Sequence, residues 1–297
     1  MKSNKLEIAV VPVAGLGTRM LPATKSIPKE MLPIVDKPVI QYVVEEIYDA
    51  GFKKIIFITH SRKGAIGQHF NKSSDFEDNL NKRINKTQLK EIENITNKKL
   101  DLIYINQENA LGLGHAIKCS QTEVGKNPFA VVLPDRVLDN LANKRKISNL
   151  AKLRKYFTET SQNCLLLSHV PEEDVNKFGI IKPKKIKNSL IEIDSIVEKP
   201  KINNAPSNLA VVGRYIFTSD IFKYIPDEPL KGFKEIELTN AMQSMLLDGH
   251  SIHGLHSDSR YFDCGDKIGY FESFISFASR DRILGKDYRK IIKKYSW

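Results

Sequence analysis

The sequence predicts an α/β fold: a Rossmann-like open mixed sheet, mostly parallel and flanked by helices, with a smaller β region added in the second half. Three observations carry this. Short continuous apolar runs recur through the first 140 residues, and continuous rather than alternating runs suit strands buried on both faces of a parallel sheet. Stretches with helical spacing follow them, giving repeated strand–helix units. A glycine turn directly follows the first run, where an open α/β sheet carries its ligand site.

The first run covers residues 8–13 and is broken by Ala14-Gly15-Leu16-Gly17-Thr18. Val39, Ile40, Val43, Val44 and Ile47 recur at helical spacing, and Gly51 ends that pattern. Residues 54–59, 102–105 and 129–133 read as the second, third and fourth strands. Residues 73–97 are polar, but Phe76, Leu80, Ile84, Leu89, Ile92 and Ile95 keep a loose helical period, so a helical excursion on the sheet's flank is expected. Later runs at 164–170, 179–182, 191–197 and 210–217 read as short strands separated by polar turns. Helical patterns return at 219–224, 238–247 and 268–278. No Gly/Ser/Pro-rich linker divides the chain, so one domain over 1–297 is expected.

Composition bounds the function. The chain has 297 residues, 41% hydrophobic and 27% charged, which excludes wholesale disorder. No stretch approaches the roughly 18–20 consecutive apolar residues of a membrane span. The N-terminal apolar run carries Glu7 and Pro12 and ends in a glycine turn, unlike a signal peptide. Cys119, Cys164 and Cys264 are odd in number and far apart, so neither a disulfide framework nor a zinc knuckle is expected, and a reducing cytoplasm is the natural setting. Lys and Arg total 46 against 35 Asp and Glu, a net charge of +11. That balance suits an anionic partner, although most of these lysines read as surface solvation. The clearest clusters are Lys144-Arg145-Lys146 and the C-terminal tail. No nucleic-acid motif appears, and a polyphosphate substrate would account for a basic cleft.

The glycine turn opens a long irregular segment, residues 15–33, with Arg19, Lys25 and Lys29 and with Pro22, Pro28 and Pro33. Long loops inside compact domains are usually functional. It lacks the G-x-x-x-x-G-K-S/T pattern of a P-loop, and Met20 stands where a dinucleotide fingerprint needs a third Gly or Ala. Arg19 and Lys29 can flank a polyphosphate, one as a planar fork and the other as a point charge. Asp135 ends the fourth strand, at the carboxyl edge where such sheets bind ligands.

Gly15-Leu-Gly17-Thr18-Arg19 followed by Pro28-Lys29-Glu30-Met31-Leu-Pro33 resembles the signature of the sugar-phosphate nucleotidylyltransferases. The similarity resumes at Gly112-Leu-Gly-His-Ala116, Leu133-Pro-Asp135, Phe178-Gly179-Ile180, Val197-Glu-Lys-Pro200, Pro206-Ser-Asn-Leu-Ala210, Val212-Gly-Arg-Tyr215, Glu235-Ile-Glu-Leu-Thr239 and Phe262-Asp-Cys-Gly265, essentially the whole chain. It implies transfer of a uridylyl group from UTP to α-D-glucose 1-phosphate, giving UDP-glucose and pyrophosphate by Mg²⁺-assisted in-line attack. It further implies Arg19, Lys29 and Lys199 as catalytic cations. Ala14, Gly15, Glu30, Gln107 and Gly112 would hold the nucleotide, and Gly179 and Glu198 the sugar. Asp135 would bind the metal, with Asp263 as second carboxylate by looser analogy. Residues 1–140 would form a nucleotide half, 141–265 a sugar-phosphate half and 266–297 C-terminal helices that offer an oligomer contact. The resemblance favours a cytoplasmic homodimer or homotetramer without nucleic-acid or membrane partners.

Some positions depart from the family pattern. Arg136 replaces an aliphatic residue, with two directions open to it, into the phosphate site as an added cation or outward; Leu111 replaces a common Lys, and Glu237 and Asn240 replace Gln and Asp. Three rival readings remain open: a relative using dTTP or another sugar phosphate, nucleic-acid binding through the basic surface, and a non-catalytic regulatory paralogue. The last would be expected to lose the loop cation, yet Thr18, Arg19 and Lys29 are present. His115 reads as a structural or capping residue, since a phosphate oxygen that attacks needs no general base. The cysteines read as buried small apolar residues.

Overall fold

The computed structural model describes residues 5–60, 64–71, 90, 92–95, 99–139, 147–257 and 259–295. Strand β1 (Ile8–Pro12) enters the middle of the molecule. Its alternate side chains feed two cores: Ile8 and Val10 pack on one face of the sheet, Ala9 and Val11 on the other. This is why the run is apolar without alternation.

The loop after β1 folds into three single 3-10 turns, Thr18–Met20, Ala23–Lys25 and Lys29–Met31. A two-stranded pair, β2 (Pro33–Ile34) and β3 (Lys37–Pro38), leads into α1 (Val39–Asp49). The five apolar residues at helical spacing in α1 are all buried, and Gly51 ends it at φ 87°. Each such side chain contributes about 1.5–3 kcal/mol on burial. Then come β4 (Lys54–Thr59), α2 (Gly64–Phe70), β5 (Asp101–Asn106), α3 (Gly112–Cys119), α4 (Gln121–Val124), β6 (Phe129–Val132) and β7 (Arg136–Leu138). The second half supplies α5 (Asn149–Thr160), β8 (Asn163–His169), the hairpin β9 (Gly179–Lys187) and β10 (Leu190–Glu198), and β11 (Leu209–Phe217). It ends with α6 (Leu238–Leu247), β12 (Ile252–His256), β13 (Tyr261–Asp263), α7 (Lys267–Ser279) and α8 (Gly285–Lys294).

Nine strands form one mixed sheet in the order β5-β4-β1-β6-β11-β8-β12-β10-β9. Pairing is parallel from β5 to β6. In the second half only β8–β12 is parallel, and the remaining pairings are antiparallel. The two halves join where β11 pairs with β6, so the sheet continues across them. A bulge between Val211 and Tyr215 bends β11, and Ala210 pairs with Ile180, which curls the β9–β10 hairpin back over the sheet. That hairpin is the added β region.

Several expectations need correction. Residues 219–224 form only a 3-10 stretch, Ser219–Lys223, and His115 lies inside α3, so of its structural and capping readings the structural one holds. Helices α2 and α5 and strand β12 were not expected. Cys164 and Cys264 are buried, but Cys119 is only partly so. The helix expected over 73–97 falls almost wholly outside the described residues, as does the Lys144-Arg145-Lys146 cluster. Among the described residues no helix is long and apolar enough to cross a membrane.

Candidate active site

All twelve side chains or backbones assigned to chemistry line one cleft of ≈ 1320 Å³. It opens along the carboxyl ends of β1, β5 and β6 and is faced by the β9–β10 hairpin and the start of α6. Ala14 and Gly15 follow β1, Gln107 follows β5 and Asp135 follows β6.

The loop is shaped by its own contacts. Gly17 sits at φ 66°, and a Cβ there would meet Lys29 and Thr24 at 3.2 Å, so glycine lets the loop close on itself. Thr24 Oγ1 donates to the Gly17 carbonyl at 2.8 Å. This closure brings Lys29 Nζ to 2.6 Å from Asp135 Oδ2, across 106 residues of sequence. Burial alone would lower the Lys29 pKa, but the Asp135 and Glu30 carboxylates outweigh it and raise it. For Asp135, burial opposes ionisation, yet Lys29 and then Arg136 pull its carboxyl down to about 2. Lys29 and Asp135 therefore stay charged at neutral pH.

Asp263 lies beside Asp135. A Cβ on Gly265 would come within 2.9 Å of Asp135 Oδ2 and 3.0 Å of both Asp263 Oδ1 and Arg19 Nη2, so glycine leaves this space open. Arg19 Nη1 is 3.8 Å from Asp263 Oδ2. Burial raises the Asp263 pKa against the pull of Arg136. The donor set suits Mg²⁺, which takes one or two protein carboxylates and completes its shell with phosphate and water oxygens. Among the described residues no group of three or more His, Cys, Asp or Glu is arranged to hold a metal, so no third such residue joins Asp135 and Asp263.

Arg136 turns inward. Its Nη1 is 2.9 Å from Asp263 Oδ2, and its guanidinium lies over the Phe178 ring at 4.8 Å and the Tyr261 ring at 5.8 Å. Arg136 thus adds a cation beside the carboxylates.

On the opposite wall, Glu198 ends β10 and Lys199 adopts φ 43°, a left-handed conformation costly for a side chain. Strand neighbours ordinarily point to opposite faces, but this twist lets both line the cleft. Lys199 Nζ is 3.0 Å from Glu198 Oε1 and 3.7 Å from Glu237 Oε1. Burial would lower the Lys199 pKa, but its bond to Glu198 raises it. Thr239 Oγ1 donates to Glu198 Oε2 at 2.9 Å. Gly179 is tight for a reason inside the protein: a Cβ would meet the Thr239 methyl at 2.7 Å.

Gln107 and Glu30 are buried. The Gln107 amide nitrogen lies 2.9 Å from His115 Nδ1 and 3.4 Å from the Gly112 carbonyl, so His115 serves to hold Gln107. Gly112, at φ 94°, packs against Glu235 and Ile236, pinning α3 to the segment before α6. Sequence reading missed the roles of Thr239 and Gly265, although both stand in motifs that resembled the family; of the two directions left open for Arg136, the structure shows the inward one. The expected basic cleft is also absent: carboxylates outnumber cations in its lining, nine to five.

Comparison with known proteins agrees with this architecture. A family model described as nucleotidyl transferase matches residues 8–280. The chain is 46% identical over 288 residues to the UTP–glucose-1-phosphate uridylyltransferase of Haemophilus ducreyi, covering 96% of this chain and 97% of that one. It is 40% identical over 290 residues to the Escherichia coli K12 protein of the same name, covering 97% and 95%. The solved structure of a UTP-bound UGPase from Acinetobacter baumannii matches with a TM-score of 0.89 at 35% identity, over 98% of this chain and 100% of that one. A match of this extent, on a cleft assembled from the motif residues, shows that the chain belongs to the nucleotidyl transferase family.

Proposed function

We propose that the chain transfers a uridylyl group from UTP to α-D-glucose 1-phosphate, releasing pyrophosphate and forming UDP-glucose. One observation carries this reading: a loop cation and a strand-end carboxylate, Lys29 and Asp135, share one cleft with the Glu198–Lys199 pair of the facing hairpin. The near-full-length relatives named for this reaction support it.

A phosphate oxygen of the sugar forms the new bond to the α-phosphorus, and the bond to the β-phosphate's bridging oxygen breaks in line. No proton need move. Both reactants are anionic, so the work is alignment and charge neutralisation. Arg19 and Lys29 neutralise the triphosphate and Lys199 the sugar phosphate. Glu198, held by Thr239, accepts from glucose hydroxyls. Gln107, held by His115, reads the uracil edge, with Glu30 and the backbone at Ala14, Gly15 and Gly112 around it. Mg²⁺ held by Asp135 and Asp263 would add charge neutralisation at the phosphates. The reading includes a cytoplasmic homodimer or homotetramer; exposed Ile283 and Ile291 near the C-terminus offer apolar surface for it.

Pyrophosphate release from glucose 1-phosphate and Mg²⁺, with UTP and dTTP in parallel, tests the reaction. Faster release with UTP, abolished by EDTA, is expected. Faster release with dTTP would move the nucleotide assignment; release with neither would overturn the activity.

A further inference from the structure

Arg214, in β11, is fully buried, and its partner Glu46 on α1 is 3% exposed. The guanidinium is saturated. Nε donates to both Glu46 oxygens at 3.1 and 3.2 Å, and Nη2 to Glu46 Oε2 at 2.7 Å. Its other bonds reach backbone carbonyls: Nη1 to Leu133 at 3.2 Å and Gly213 at 3.1 Å, Nη2 to Arg136 at 2.8 Å. Leu133 and Arg136 flank Pro134 and Asp135, so one side chain grips the Asp135 turn at both ends.

The bulge in β11 exists at this point. Gly213 lies at φ 76°, and a Cβ there would meet Leu133 Cβ at 3.0 Å and Arg136 Cγ at 3.1 Å. Glycine therefore lets β11 pass close beneath the turn and bring Arg214 under it. The Gly213 carbonyl also accepts from Leu133 N at 2.9 Å. From the far side, Cys264 N donates to the Asp135 carbonyl at 2.8 Å, and Asp263 pairs with Arg136 in the β7–β13 ribbon. The turn that carries one carboxylate and the strand that carries the other are thus registered by backbone bonds anchored on Arg214.

Buried ion pairs are poor sources of net stability, because desolvation offsets the attraction, and apolar pairs of similar volume often serve as well. An apolar pair could not reach two carbonyls three residues apart. We infer that the Arg214–Glu46 pair is a positioning device: it fixes the Asp135 turn, and through β7 the Asp263 carboxylate, for the transfer step. This rests on the proposed reaction for its kinetic part only.

The test uses the full chain with R214K, which keeps the charge but offers a compact ammonium in place of the fork, and with the apolar replacement E46L/R214M. Each is measured by circular dichroism, steady-state kinetics and hydrogen exchange. Both variants are expected to fold, with kcat lowered roughly 10- to 100-fold and the KM for UTP and glucose 1-phosphate within about threefold of the parent. Amide exchange at residues 135–138 should rise at least about tenfold while β8 is unchanged. A folded variant with kcat within about twofold of the parent and unaltered exchange at 135–138 overturns the proposal. Failure of both variants to fold also overturns it, since the pair then holds the fold rather than the turn. If the parent itself turns over neither substrate, the reaction assignment fails, and the exchange arm still decides whether Arg214 fixes the turn.

Discussion

Asp135 is held between the burial that opposes its charge and the cations of Lys29, Arg136 and Arg19. Its folded carboxyl, drawn down to about 2 mainly by Lys29 against the cost of burial, lies below the roughly 3.9 of an unfolded chain. The folded state binds fewer protons between those values. The stabilisation is therefore full above about pH 5 and is lost as pH falls toward 2. Asp135→Asn removes it. We expect the melting temperature of the variant to trail the parent most at neutral pH, and the gap to close between about pH 5 and 2. A gap that ignores pH would separate Asp135 from the Lys29 pair. Turnover by the variant at neutral pH should drop about 100-fold or more with the fold retained. Residue identity at such positions was legible because the motifs are contiguous: Arg19 to Pro33 carries its chemistry in one stretch. The partners were not. Thr239 on Glu198 and Arg136 on Asp263 are set by approaches between distant segments, which no local spacing encodes, and His115 meets Gln107 only through the turn that joins β5 to α3.

At the scale of elements, apolar runs located the strands well because burial on both faces leaves a continuous signal. Helix α6 was legible to its end residues, Leu238 and Leu247. Strand β12 was not: Ile252-His-Gly-Leu-His256 has little strand character of its own and is a strand because β8 and β10 sit on either side. Helix α5 buries only Asn149, Leu150, Leu153 and Phe157 among polar neighbours, too sparse a stripe to announce itself. The junction of α3 with the segment before α6 is the element contact most open to test. Gly112 and Gly249 both have φ near 90°, but a Cβ at 249 meets nothing within 4 Å, whereas at 112 it meets Glu235 Cβ at 2.8 Å and the Ile236 backbone at 3.0 Å. Gly249→Ala should cost about 1 kcal/mol in urea unfolding, from backbone strain alone. Gly112→Ala should cost at least about 1 kcal/mol more, from crowding. Because this contact borders the cleft, Gly112→Ala should also raise the KM for both substrates, while Gly249→Ala leaves it unchanged. Equal losses would mean that residues 235–236 give way freely and do not pin α3.

Over the whole molecule, net charge was legible and its distribution was not. The chain carries +11, yet carboxylates outnumber cations in the cleft lining, nine to five. The positive surplus therefore lies outside the site. At long range it attracts a polyanion, an effect that salt screens. At contact the balance reverses, for Lys29 is already bonded to Asp135 and Lys199 to Glu198. Bare UTP, with its several negative charges, meets Asp135 held ionised and Asp263 beside it. A close pair of like charges costs about 4 kcal/mol at a surface-like dielectric. A divalent cation held by Asp135 and Asp263 would offset that repulsion. Calorimetric titration of UTP should therefore show binding at least about tenfold weaker in EDTA than in Mg²⁺, a difference of about 1.4 kcal/mol and well inside the one-pair figure. Raising salt should weaken both, because the outer field acts in either case. Equal affinity with and without the metal would mean that Arg19, Lys29 and Arg136 neutralise the triphosphate unaided, and the assignment of Asp135 and Asp263 as metal ligands would fall with it.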